Sequence, residues 1–125
     1  MVKNLIWIIV VAILIAVGSI YENHVIHKNF SEFSTVIETL YDKVEQGVAI
    51  KSDGITAQHV WEEKKKVLHA FIPHTEIKEI DLWISETISL IAYGKTEDVL
   101  SKLDVLRELI KEVPKNFIVN FSNVF

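Results

Sequence analysis

Hydrophobic pattern divides the chain sharply at about residue 21. From Leu5 to Ile20 the residues LIWIIVVAILIAVGSI form an apolar run without a single charge. The run is nonpolar on every side of a helical wheel, whereas the core helix of a soluble protein keeps a polar side. In hydrocarbon each backbone N–H and C=O needs a partner inside the segment, so such a run crosses a bilayer only as a helix. Its 16 residues span roughly 24 Å, short of the ~30 Å hydrocarbon core but workable when flanking side chains sit at the interfaces. Trp7 and Tyr21 stand near its two ends, where amphipathic rings prefer to lie.

Beyond the run the pattern changes to helical seams. Ile26, Phe30, Phe33, Ile37, Leu40 and Val44 recur with gaps of four, three, four, three and four, the 3.5-residue period of a helix packed on another helix. No breaker separates Ile20 from Val44, so the spacing predicts one helix from about residue 4 to 46, ended by Gly47. The stretch 48–54, VAIKSDG, reads as a loop turning at Ser52-Asp53-Gly54. Thr56 is the expected N-cap of a second helix, with Ile55 and Val60 as its hydrophobic staple. The buried face of that helix carries Ala57, Trp61, Leu68 and Phe71, covered in part by the stem of Lys64, and Pro73 stops it near Ile72. Thr75 caps a third helix bearing Ile77, Ile80, Trp83, Ile84, Ile88 and Ile91, with Gly94 at its left-handed end. Thr96 caps a fourth, with Glu97 and Asp98 in its first turn, a seam of Val99, Leu103, Leu106, Ile110 and Val113, and an end at Pro114.

The short links make helices two, three and four antiparallel neighbours. The expected fold is therefore all-α, with residues 1–21 a transmembrane helix that continues into an up-down antiparallel four-helix bundle over residues 22–125. In that topology the tail KNFIVNFSNVF, residues 115–125, returns toward the bilayer. Its apolar side chains from Phe117 to Phe125 need cover from the bundle, the lipid interface or a partner.

Charge sets the orientation and removes whole classes of function. Lys3 and the amino terminus are the only positive charges before the run, against Glu22 and Lys28 just after it, which favours a cytoplasmic N-terminus and an exported remainder. The run also fits a signal peptide, with Ala16-Val17-Gly18 as small residues before a cleavage point; that reading exports the rest as well. With Lys3 set aside, 12 basic residues face 17 acidic ones. This balance opposes nucleic-acid binding and offers no polybasic patch for anionic lipid. The chain has no cysteine, so disulfides, thiolate metal sites, cysteine nucleophiles and lipidated cysteines are excluded.

The motifs that carry chemistry are few. His24 and His27 share a helix face just past the run, but two ligands do not make a metal site. No histidine follows a glutamate by three residues, so the di-iron bundle pattern is missing. His59 with Glu63 lacks a nucleophile, and His74 sits at the corner after Pro73. The block Glu62-Glu63-Lys64-Lys65-Lys66 reads as surface ion pairs worth a few tenths of a kcal/mol each. No phosphate loop, dinucleotide fingerprint, serine elbow, zincin motif or calcium loop occurs. No catalytic, cofactor-binding or metal-binding residue is assigned, and no enzyme activity is expected.

Taken together, the anchor, Trp61, FIPHTEI at 71–77, LRELIKEVP at 106–114 and the closing Asn123-Val124-Phe125 resemble the domain-of-unknown-function family numbered 4363. The resemblance covers nearly the whole chain. It implies a small single-anchor protein of Gram-positive, largely spore-forming bacteria, and supplies no site residues. The expected address is the cytoplasmic membrane, single-pass, with the lipid bilayer held through residues 5–20. The expected role is a non-catalytic interaction module holding a protein partner or a second copy of itself. The other class in view is a small-molecule-binding or sensory domain lined by Trp61, Phe71 and Trp83.

Overall fold

A computed structural model describes residues 1–117. Four helices account for nearly all of them: α1 (Val2–Glu45), α2 (Lys51–Leu68), α3 (His74–Ala92) and α4 (Thr96–Phe117). The unbroken first helix follows from the absence of any proline or well-placed cap before Gly47, and its 44 residues run from the apolar segment into the bundle. Its seam is buried throughout, at Ile26, Phe30, Phe33, Ile37, Leu40 and Val44. The seam of α4 is buried at the five expected positions from Val99 to Val113.

α1 and α3 each pack on both α2 and α4, and the backbones of α1 and α3 do not come close to one another, nor do those of α2 and α4. Side-chain pairs fix the register. Lys43, late in α1, reaches Asp53, early in α2, at 2.9 Å, while the earlier Glu32 pairs with the later Lys64. Arg107 on α4 holds Glu38 on α1 at 2.7 Å, and Lys102 on α4 holds Glu86 on α3 at 3.1 Å. One core results, made of all four helices, with Trp61, Phe33, Leu68, Ile77, Ile80, Leu103 and Leu106 among its fully buried side chains.

Both glycine ends hold. Gly47 and Gly94 have φ of 74° and 70°, the left-handed conformation that glycine adopts without penalty. Each closes a Schellman motif: Val48 N donates to Lys43 O at 3.0 Å, and Lys95 N to Leu90 O at 3.2 Å.

The expected helix starts are corrected. α2 begins at Lys51, five residues before Thr56, so Ile55 and Val60 are interior positions and no staple. The Asp53 carboxylate takes the Ile50 N–H at 2.8 Å, which is the acidic half of a capping box; isoleucine has no acceptor to supply the other half. Thr56 donates instead to Ser52 O at 2.9 Å. Gly54 is no turn residue: it is buried in α2 against α3, where an added Cβ would stand 2.9 Å from Ile88 Cγ1. α3 begins at His74 with Pro73 as its N-cap, so Thr75 lies inside the helix. Proline has no N–H to leave unpaired at that position. α2 ends at Leu68, and hydrogen-bonded turns carry the chain on to Ile72, whose N–H meets Leu68 O at 2.8 Å. α4 opens with Val99 N donating to Lys95 O at 3.0 Å, so Lys95 is its cap and Thr96 its first helical residue. Lys95 thus closes α3 and opens α4, which leaves no room for a later cap.

Pro114 does not end α4. It lies buried inside the helix, which continues to Phe117. Only the bond to the carbonyl four residues back is lost, and the buried ring contributes to packing beside α1. Phe117 is half-buried and packs on the core, while the rest of the expected tail, residues 118–125, lies outside the described residues.

Candidate functional site

The most organised polar group centres on Trp61. Ala57, Trp61 and Leu68 place one stripe of α2 in the core, and the Trp61 ring meets Phe33 at 5.0 Å and Phe30 at 6.3 Å between centroids. A buried indole N–H needs an acceptor; here Asp81 Oδ1 takes it at 2.6 Å. Lys65 Nζ lies 3.3 Å from the same oxygen and 2.9 Å from Glu62 Oε2. Partial burial pulls the Lys65 pKa down, but the bonds to Glu62 and Asp81 together outweigh it and leave the lysine above its ordinary value. Asp81 was not singled out by sequence, although a tryptophan on a buried stripe signals that some acceptor must face it. With its carboxylate occupied by an indole and an ammonium, this group is built for locking α2 to α3. The cleft next to it holds about 190 Å³ and is lined by Gln58, Glu62, Asp81 and Ser85.

The three aromatic residues expected to line a ligand cavity go to separate places. Trp61 fills the core, Phe71 lies in the turn after α2, and Trp83 is half-buried, donating to Glu79 at 3.1 Å under the Lys102 ammonium, 4.6 Å from its ring. They enclose no common space.

His24, His27, His59, His69 and His74 are all exposed. His69 and His74 stack across the α2–α3 corner at 5.8 Å, which gives His74 its structural role. Among the described residues no three His, Cys, Asp or Glu side chains gather where they could hold a metal ion. The Glu62–Lys66 block behaves as surface pairing: Lys66 meets Glu63 at 3.0 Å, and Lys64 crosses to Glu32, whose pKa that bond lowers.

A larger opening lies between α1 and α4, toward the end where α1 leaves the bundle. This groove holds about 340 Å³ and is lined by His27, Phe30, Ser31, Ser34, Arg107, Ile110, Lys111, Pro114 and Lys115. Arg107 is held in its wall by Glu38, which raises the arginine pKa, and lies 4.4 Å from the Tyr41 ring centre.

Below the bundle, α1 contains the one stretch among the described residues that is long and apolar enough to cross a membrane, and none of that stretch is buried by the protein itself. Large side chains such as Ile9, Leu14 and Ile20 are exposed along it. No curated protein and no solved structure matches the chain. The sequence pattern of a domain of unknown function, DUF4363, matches residues 20–124, starting where the apolar run ends. The four-helix bundle is therefore the body of that family's domain, and the chain belongs to the DUF4363 family.

Proposed function

We propose that the protein is a single-pass membrane protein, N-terminus in the cytoplasm, that carries an up-down antiparallel bundle on the outer face as a non-catalytic protein-interaction module. The observation that carries the reading is the uncovered apolar length of α1: a stretch of mean hydropathy 2.4 finds no cover in its own fold, and lipid supplies that cover. The pairs Lys43–Asp53 and Glu32–Lys64 fall along α1 as they rise along α2, which supports an antiparallel order for these two helices.

The interaction role now rests on a different surface from the one its sequence favoured. The α1 seam is used up inside the bundle and is not free to pair between copies. At the far end, the links after α1 and α3 leave Val48, Ile50 and Tyr93 at 60–76% exposure, close to the turn glycines Gly47 and Gly94. Such apolar groups on two neighbouring links suit a protein contact held away from the bilayer.

Absence of native cysteine makes the test direct. Single Lys3→Cys and Val48→Cys variants in intact cells are exposed to a membrane-impermeant maleimide. Labelling of Val48→Cys alone is expected; labelling of Lys3→Cys alone inverts the orientation. Photo-crosslinking from position 50 is expected to capture a discrete protein or a second copy, and recovery of monomer only removes the interaction role.

A further inference from the structure

We propose that the α1–α4 groove binds the phosphate of an anionic lipid in the leaflet that the bundle stands on. The inference rests on the membrane reading above and adds a ligand to it. Sequence shows no contiguous basic run, because the cations of this groove, Arg107, Lys111 and Lys115, are spaced four apart along α4, and His27 lines the facing wall from α1. No carboxylate lines it. Arg107 is engaged by Glu38 and Asp104, and Lys115 lies 3.6 Å from Glu112 in an exposed pair of little strength. Lys111 has no carboxylate partner among the described residues. Glu22 and Glu108 are also near this end in sequence, but neither lines the groove. Ser31 and Ser34 add hydroxyl donors, and Phe30, Ile110 and Pro114 give an apolar floor that suits a glycerol backbone and the first acyl carbons.

Depth agrees with chemistry. The apolar run falls about 6 Å short of the hydrocarbon thickness, or about 3 Å at each face. His27, seven residues beyond Ile20, rises about 10 Å past the run. It therefore stands about 7 Å outside the hydrocarbon, in the layer where lipid phosphates lie. Lysine stems from α4 can reach down to the same layer.

The test uses the full-length protein in nanodiscs of phosphatidylcholine alone or mixed with phosphatidylglycerol, with retained lipid counted by native mass spectrometry after mild detergent release. Preferential retention of phosphatidylglycerol is expected. Each neutralised lysine should reduce that preference about five-fold, so Lys111→Gln with Lys115→Gln should nearly abolish it. Lys51→Gln with Lys95→Gln at the far end should leave it intact, as should Lys111→Arg with Lys115→Arg, which controls for misfolding. Insertion with no lipid preference overturns the groove assignment and leaves the anchor standing. Failure to enter nanodiscs of either composition overturns the anchor and the groove with it. Displacement of phosphatidylglycerol by millimolar inorganic phosphate identifies a free-anion site and overturns the lipid assignment.

Discussion

The two halves of α1 are one helix with two fates. From Val2 to Ile20 none of its side chains is buried, and apolar ones are exposed on all sides; from Ile26 to Val44 six side chains are buried. The lower half has no polar side to turn toward water, so no orientation of it against the bundle would cover more than part of its surface. The upper half pairs an apolar seam with polar flanks, and Glu32 and Glu38 tie those flanks to α2 and α4. Hydrophobicity alone therefore does not decide burial within the fold. Its distribution around the helix does.

The comparison breaks most sharply under matched truncations. Phe33→Ala should destabilise the bundle by about 3–5 kcal/mol, because it removes a fully buried ring packed at a tilt against Trp61. Leu14→Ala, equally apolar but 65% exposed, should change thermal unfolding in detergent by less than about 0.5 kcal/mol. Equal effects from the two would mean that the lower half also packs against the fold. Gly54→Val should cost about 1–3 kcal/mol through overpacking against Ile88 and Ile91. An unchanged melting temperature would show that α2 and α3 can separate freely. Asp53→Ala should cost about 0.5–2 kcal/mol at neutral pH through loss of the cap. The Ile50 N–H, followed by Lys43, lowers the Asp53 pKa. Its stabilisation is therefore present above the ordinary aspartate range and lost as pH falls through the depressed native value. Denaturant titrations of the two proteins should converge below that point, and a gap that persists in acid would assign the effect to something other than the carboxylate.

The seams of α1 and α4 were legible because each position in them faces the core at regular spacing, and the left-handed glycines were legible because their conformation belongs to glycine. What sequence misplaced was local competition. Thr56, Thr75 and Thr96 each looked like caps, yet Asp53, Pro73 and Lys95 hold the helix starts. Ser52-Asp53-Gly54 has the composition of a turn, but Gly54 serves a close helix approach, a requirement visible only once α3 lies against it. Pro114 has the chemistry of a stop, but a helix tolerates one missing bond where the ring is buried. The Asp81 acceptor for Trp61 sits 20 residues away in sequence, beyond any local rule. The site itself was least legible: Arg107, Lys111 and Lys115 form a stripe at helical spacing, but the wall of His27, Phe30, Ser31 and Ser34 that makes a groove of it comes from α1, and only folding brings the two together.

The continuity of α1 has a mechanical consequence. No glycine, proline or loop interrupts it between Ile20 and Glu45, so that stretch of about 37 Å behaves as one straight lever standing on the part below. A lean of about 20°, ordinary for a spanning helix, would swing the far tip sideways by about 13 Å. Bilayer thickness would thereby set where Val48, Ile50 and Tyr93 are presented above the surface.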